Sequence, residues 1–320
     1  MAREAAAPEA EPELLDIARG LENLPVSVWP PGAEPEPFEY WPDPVAGPGA
    51  PADPAEIALP GCRCPPPACR AACACLRGGP APYDAAGRCL QALGAAPARP
   101  VFECGALCAC GPACGSRVVQ RGLRARLQLF PARAKGWGLR ALEPLARGRF
   151  VCEYAGEVLG AAEAARRLRA RPPGAPNYLQ AVREQVPGGR PLRTFVDPAR
   201  VGNVGRFLNH SCQPNLLMLP VRVHSAVPRL ALFAARDVAA GEELTYDYSG
   251  RFLNPGGDQG QEEPPEGQPR TPCRCGAAAC AGLLPFDGSP WAPEEEAPTQ
   301  DPPAALSPAV AAPESARAGC

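Results

Sequence analysis

Apolar positions in this chain follow two different periods, with long stretches between them that have almost none. Leu14, Ile17, Ala18, Leu21 and Leu24 recur at helical spacing, and Asn23 and Pro25 close the run. That pattern predicts a short amphipathic helix used for packing. From Val118 onward the period changes to that of strands. Leu127-Gln128-Leu129-Phe130, Phe150-Val151-Cys152-Glu153-Tyr154 and Leu230-Ala231-Leu232-Phe233-Ala234 each read as a short β-strand. Between them, Ala161 to Ala170 reads as an Ala/Arg helix, with Arg166, Arg167, Arg169 and Arg171 as a solvated basic face. Phe38-Glu39-Tyr40-Trp41 sits between prolines and is expected to lie extended against the main domain.

Composition sharpens these limits. The chain has 45 prolines and 33 glycines in 320 residues, close to the level at which disorder is expected. The prolines crowd residues 25–67 and 255–311, however, while 117–252 carries most of the long apolar and aromatic pattern and is the one region able to build a sizeable core. The expected organisation is an N-terminal segment over 1–58 that partly wraps the main domain and a cysteine-rich module over 59–123. A β-rich domain over 124–252, a linker over 253–269, a second cysteine module over 270–286 and a disordered tail over 287–320 follow. The Met1-Ala2-Arg3-Glu4 start has no apolar core of a signal peptide, and no stretch approaches a membrane span. A formal charge of −2 argues against a generic nucleic-acid binder.

Nine cysteines lie close together: Cys62, Cys64, Cys69, Cys73 and Cys75, then Cys104, Cys108, Cys110 and Cys114. Cys-x-Cys spacing suits thiolates converging on metal better than pairwise disulfides, which would also need a secreted chain. Three tetrahedral zincs need about twelve metal–sulfur bonds. Nine thiolates supply them if three bridge two metals each, and the sequence leaves open which three. Residues 59–116 hold little else that could form a core, so metal must replace it. A third set, Cys273, Cys275 and Cys280, lacks a fourth ligand, and Cys212 is the obvious donor. Four zincs held by thirteen thiolates would take the net charge to about −7, a balance that favours a cationic partner.

Three further stretches carry chemistry. Lys135-Gly136-Trp137-Gly138 predicts a tight turn open to a ligand, and Lys135 is the only lysine in the chain. Arg206-Phe207-Leu208-Asn209-His210-Ser211-Cys212-Gln213-Pro214-Asn215 places amides, an imidazole and a thiol in one turn-rich segment. Gly241-Glu242-Glu243-Leu244-Thr245-Tyr246-Asp247-Tyr248 is a turn leading into a strand, with two tyrosines expected on one side. Read one at a time, each fits an ordinary loop or a pair of core tyrosines.

In this order, the cysteine cluster and the motifs resemble the SET-domain protein lysine methyltransferases. The branch is the one with pre-SET and post-SET zinc modules, that of the histone H3 lysine-9 enzymes. Gly148 to Leu159 and Leu283-Leu284-Pro285-Phe286-Asp287 narrow the likeness to the methyltransferase half of a SET–transposase fusion, and nothing in these residues resembles the transposase. The resemblance covers about residues 59–286. It implies a mainly β SET fold with few helices, small sheets around a knot-like core, a Zn3Cys9 pre-SET module and a one-zinc post-SET module. It implies that Lys135, Gly136, Trp137, Tyr178, Arg206, Asn209 and His210 cradle S-adenosylmethionine. Tyr248 and Tyr154 would line a channel for the substrate lysine, and Tyr246 would set the product, favouring mono- or dimethylation. The implied partner is a histone H3 tail or nucleosome in the nucleus, at the chromosome. Tail position nine fits the branch and position thirty-six the narrower likeness. No membrane association and no direct sequence-specific DNA binding are expected. The competing expectation is a non-catalytic, zinc-stabilised SET module that binds chromatin.

Overall fold

The computed structural model describes residues 14–66, 69, 73–77, 79–93, 100–172, 174–184, 192–249 and 271–285. The expected linker over 253–269 and tail over 287–320 lie outside the described residues. Three two-residue strands come first: β1 (Ser27–Val28), β2 (Glu39–Tyr40) and β3 (Val45–Ala46). A short helix α1 (Leu90–Leu93) and β4 (Val101–Phe102) follow. Then come β5 (Leu127–Ala132), β6 (Gly136–Ala141), β7 (Phe150–Glu153), β8 (Gly156–Leu159) and helix α2 (Ala161–Ala170). The remaining strands are β9 (Gln180–Glu184), β10 (Leu192–Gly202), β11 (Asn209–His210), β12 (Leu216–Arg222), β13 (Arg229–Ala234) and β14 (Glu243–Tyr246).

These strands form three small sheets. The first runs β1-β5-β6-β14-β11, the second β2-β10-β8-β3 with β9 added on β10, and the third β4-β12-β13-β7. The N-terminal strands do not form a unit of their own. β1 pairs parallel with β5, β2 with β10 and β3 with β8, so the first segment is threaded along two sheets. Phe38 packs on Phe207 with ring centroids 5.6 Å apart, as the extended aromatic patch anticipated.

Period-two alternation explains the main hairpin. In β5 and β6 the inward residues Leu127, Leu129, Leu139 and Ala141 are fully buried, and Leu127 pairs with Ala141, Leu129 with Leu139. α2 occupies the span its Ala/Arg pattern predicts, burying Ala164 and Leu168. Its basic face is only partly solvated. Arg167 is drawn down between Glu157, Glu163 and Asp197, at 2.7, 2.8 and 2.8 Å.

Two expectations need correcting. Residues 14–24 form turns, not a helix. The Asp16 carboxylate accepts from the N–H groups of Ala18, Gly20 and Val26 at 3.0, 3.0 and 2.8 Å, which holds a loop closed. Arg19 and Gly20 have φ of 51° and 76°, which no α-helix accommodates. Ile17 and Ala18 are still buried, so the apolar positions were meaningful and their period was not. The cysteine-rich module also shares a conventional core. Tyr83, Cys89, Ala92 and Val101 pack with Phe150, Leu219 and Phe233 of the third sheet.

Candidate active site and metal centres

The pairing of β11 with β14 builds the site. These strands run parallel, with Asn209 opposite Thr245 and His210 opposite Tyr246, and the Ser211 N–H donates to Tyr246 O at 3.1 Å. Two motifs thirty-odd residues apart in sequence are thereby fixed side by side. A cleft of about 740 Å³ opens beside them, lined by Lys135, Trp137, Tyr178, Arg206, Asn209 and His210. That volume suits a ligand of cofactor size. Tyr154 and Tyr248 also face it.

The turn at the cleft mouth is displaced from the one expected. Residues 133–135 make it, and Gly136 to Gly138 already belong to β6. Gly136 has φ +81°, which favours glycine. At Gly138 a Cβ would lie 3.0 Å from the Ala132 Cβ and 3.2 Å from Glu243 Oε1. The Glu243 position matters because its carboxylate receives Lys135 Nζ at 2.7 and 2.6 Å. Glu243 Oε1 also accepts from Asn209 Nδ2 at 3.0 Å, and Asn209 Nδ2 donates to Trp137 O at 3.0 Å. One acid therefore joins three of the expected cofactor residues.

Arg206 carries the clearest sign of a ligand. It is 6% exposed, and its guanidinium carbon lies 4.1 Å from the Phe38 ring centroid and 4.5 Å from that of Tyr178. Its Nε and Nη1 have no hydrogen-bond partner among the described residues. Buried donors are rarely left unmet, and an anionic acceptor in the cleft would meet them. The carboxylate of an amino-acid-like ligand such as S-adenosylmethionine fits this donor set, with Trp137 and Tyr178 as flat walls.

Three tyrosines lie behind the cleft. Ring centroids of Tyr154 and Tyr246 are 6.0 Å apart, and those of Tyr246 and Tyr248 4.9 Å apart. Tyr248 donates its hydroxyl to Leu208 O at 2.8 Å, and Tyr154 donates to Tyr178 O. Tyr246 is 3% exposed and donates to Gln180 Oε1 at 3.0 Å. Burial pushes all three phenols above their ordinary range, so they stay protonated. Gln180 and Glu243 were not singled out by sequence reasoning. Glu243 lies inside the Gly241–Tyr248 motif but had no role there, and Gln180 follows no motif.

His210 connects this cleft to a cysteine group. Its Nδ1 accepts the Tyr248 N–H at 3.3 Å, while Nε2 is 3.4 Å from Cys212 Sγ. With Nδ1 accepting, the proton belongs on Nε2 and points at the sulfur. Cys212, Cys273, Cys275 and Cys280 bring four sulfurs within 4.8 Å of one another, the donor set of one tetrahedral zinc. At Cys275 burial is outweighed by backbone and side-chain hydrogen bonds, which bring the thiol down to about 6.

The nine N-terminal cysteines converge in the same way. Three overlapping four-sulfur groups appear: Cys62, Cys73, Cys75 and Cys104; Cys62, Cys69, Cys104 and Cys110; and Cys62, Cys64, Cys69 and Cys73. Cys108 joins through Cys75 at 3.4 Å, and Cys114 is buried in the same cluster. Sulfur pairs such as Cys69–Cys104 at 3.2 Å and Cys62–Cys69 at 3.5 Å are close to the edge of a zinc–thiolate tetrahedron, roughly 3.8 Å. Cys69, Cys73 and Cys104 each belong to two of the groups, as a thiolate shared by two metals would, and Cys62 belongs to all three. Cys152 and Cys89 are buried core thiols outside these groups.

Comparison with known proteins agrees with this geometry. Residues 136–249 match the SET domain, and residues 18–117 match the Pre-SET motif. The chain is 56% identical over 297 residues to histone-lysine N-methyltransferase SETMAR of Bos taurus, covering 92% of this chain and 96% of that one. The crystal structure of the methyltransferase domain of human SETMAR superposes with a TM-score of 0.76 at 50% identity. That match covers 86% of this chain and 99% of the other. Arabidopsis thaliana SUVH6, solved in complex with SAM, matches with a TM-score of 0.68 at 31% identity, over 87% of this chain and 57% of that one.

Proposed function

This chain belongs to the SET-domain histone-lysine N-methyltransferases, and on that premise we propose that it methylates a lysine of the histone H3 tail with S-adenosylmethionine as donor. The observation that carries the proposal is the buried Arg206 guanidinium, whose Nε and Nη1 have no hydrogen-bond partner among the described residues, facing a cleft with three protonated tyrosines behind it. Arg206, Asn209, His210 and the Lys135–Trp137 strand end would hold the donor. Bound there, it supplies an electrophilic methyl group on a sulfonium.

The protein's own residues then have two tasks. A lysine amine with pKa about 10.4 is only roughly 0.1% neutral near pH 7.4, which costs about 4 kcal/mol unless the site lowers that pKa. A channel walled by Tyr154, Tyr246 and Tyr248 excludes water and so disfavours the charged amine. The tyrosines are already protonated and a neutral phenol is no base, so the proton leaves to solvent. Each hydroxyl already donates, to Leu208 O, Tyr178 O or Gln180 Oε1. Their oxygens are left to accept from the amine N–H groups, which aims the nitrogen lone pair at the donor. Alignment in a dry tube supplies most of the acceleration.

Tyr246 keeps a hydroxyl and a water-sized demand for space beside the amine, which favours mono- or dimethyl-lysine. Three zincs in the Cys62–Cys114 cluster and one at Cys212, Cys273, Cys275 and Cys280 would staple the domain at both ends. The natural setting would be the nucleosome in the nucleus, with tail position nine or thirty-six as target. Zinc-loaded protein with labelled donor and intact nucleosomes or free H3 tests this. Label on one H3 lysine, absent with Tyr248→Phe, is the expected result. Donor binding with four zincs but no transfer to H3 would overturn it.

A further inference from the structure

We propose that Phe38, from the N-terminal segment, is a positioning residue for the methyl donor. Its ring holds the Arg206 guanidinium in place and leaves the N–H groups free for the donor's carboxylate. The role rests on the reading of the cleft as an S-adenosylmethionine site.

A buried guanidinium stays charged, and something must compensate it. Elsewhere in this chain carboxylates do so. Arg167 sits between Glu157, Glu163 and Asp197, Arg222 meets Glu184, and Arg229 meets Glu153. Among the described residues Arg206 has rings where those have acids. Its guanidinium carbon lies over Phe38 at 4.1 Å, Tyr178 at 4.5 Å and Phe207 at 5.2 Å from the ring centroids. A carboxylate in their place would have taken the N–H groups. An aromatic face attracts the cation through its quadrupole and occupies none of them. Nε and Nη1 of Arg206 accordingly have no hydrogen-bond partner among the described residues. Phe38 is the nearest of the three rings, and it lies outside residues 136–249, the stretch that matches the SET domain.

The fold fixes Phe38 there through two links. β2 pairs with the end of β10, Tyr40 opposite Gly202, and the Trp41 N–H donates to Gly202 O at 2.8 Å. Arg206 follows Gly202 by four residues, on the tight helical turn Val204–Phe207. Asn203 caps that turn by accepting from the Gly205 N–H at 3.0 Å, and its Nδ2 donates to Pro42 O at 3.3 Å. One asparagine thus ties the turn that carries Arg206 to the segment that carries Phe38. The same segment reaches the cleft at Glu36, which is part of the lining. Phe38 is not part of that lining and acts through Arg206.

Phe38 also rests against the main hydrophobic cluster and meets Phe207 edge-on. Core packing alone would be met by leucine, which fills space but has no aromatic face.

The test titrates the zinc-loaded chain with S-adenosylhomocysteine and with its decarboxylated analogue, which keeps the adenosine, the thioether and the amine. Phe38→Leu and Phe38→Tyr are compared with the wild type. Phe38→Leu is expected to bind S-adenosylhomocysteine about tenfold more weakly and the analogue within about twofold of the wild type. Phe38→Tyr restores the ring and should restore the affinity. In methyl transfer to H3, Phe38→Leu should raise KM for the donor about tenfold and leave kcat within about twofold. The two ligands are compared on one folded protein, so a lower unfolding midpoint does not blur the result. Phe38→Met, apolar and of similar length, repeats the test if the leucine variant does not fold. Equal losses for the two ligands, or unchanged S-adenosylhomocysteine affinity in a ringless variant, overturn the proposal. A wild-type chain that binds neither ligand overturns the donor reading, and the role of Phe38 with it. Ring-dependent donor binding without transfer to any H3 probe leaves Phe38 its role and removes the proposed reaction.

Discussion

His210 Nε2 lies 3.4 Å from Cys212 Sγ while its Nδ1 accepts the backbone N–H of Tyr248 at 3.3 Å. One imidazole thus spans a candidate metal ligand and a candidate catalytic tyrosine. A hydrogen bond from the imidazole to a metal-bound thiolate fixes the tautomer, and the tautomer fixes the acceptor for Tyr248. Loss of the metal should therefore loosen Tyr248 as well as the C-terminal cysteines. Cys212→Ser is expected to lower the zinc content from four per chain to three and to reduce turnover at least tenfold. Metal analysis of the purified variant is the direct check, and four zincs retained would sink the ligand assignment.

Tyr246 is buried with its hydroxyl on Gln180 Oε1 at 3.0 Å. Removing that oxygen frees space beside the amine and leaves the Gln180 amide to turn or to take a water. Tyr246→Phe is expected to shift product toward trimethyl-lysine while retaining activity. Gln180→Leu should move it in the same direction, since the hydroxyl would lose its anchor. Mass spectra showing the wild-type product pattern in both variants would count against a product-setting role for this pair.

Glu243 and Glu242 are adjacent and chemically identical, yet they do different things. Glu242 reaches Arg236 Nη2 at 2.6 Å and Asn215 Nδ2 at 2.9 Å, on the side of the strand away from the cleft. Glu243 clamps Lys135 and Asn209 at the cleft mouth. Charge-assisted hydrogen bonds of this kind contribute about 1.5–3 kcal/mol when partly buried. Glu243→Gln is expected to weaken S-adenosylmethionine binding about tenfold or more, with Trp137 fluorescence as the readout. Glu242→Gln should bind the donor as the wild type does, and equal losses in the two variants would argue for a general effect on the strand.

These two glutamates also mark where sequence reading stops. Alternation made β5, β7 and β13 legible, and α2 was legible to its ends because its Ala/Arg run is bounded by Gly160 and by Pro172-Pro173. The site residues in motifs were legible because their chemistry is concentrated: Arg206, Asn209 and His210 do meet Lys135 and Trp137 around one cleft. Residues 14–24 misled because the Asp16 side chain competes for backbone N–H groups that a helix would have used. Gln180 was invisible because its partner Tyr246 is brought to it by sheet register, which no local pattern encodes. Which of two consecutive glutamates faces a lysine more than a hundred positions away is likewise decided by the pairing of β14 with β6.

Stability should depend on pH through one buried acid. Glu153 lies on β7, and burial pushes its carboxyl up to about 7 although Arg229 Nη1, 2.7 Å away, pulls the other way. Its Oε2 has no hydrogen-bond partner among the described residues. The folded protein therefore holds the Glu153 proton more tightly than the unfolded chain, whose carboxyl titrates near 4.5. A folded value above the unfolded one gives stability that is complete below the unfolded value and is lost as pH rises through the folded value. Wild-type stability should accordingly fall by on the order of 1–3 kcal/mol between about pH 5 and pH 8 from this group alone. Glu153→Gln keeps the shape and an acceptor for Arg229 but cannot ionise, so that contribution should vanish. Chemical unfolding of both proteins at pH 6 and pH 8 isolates it, because titration of the cysteines is common to the two and cancels in the difference. The wild type should lose stability relative to the variant as pH rises. Parallel pH profiles would show that Glu153 is already ionised in the folded protein, held by Arg229 despite its burial and the nearby Asp43 carboxylate.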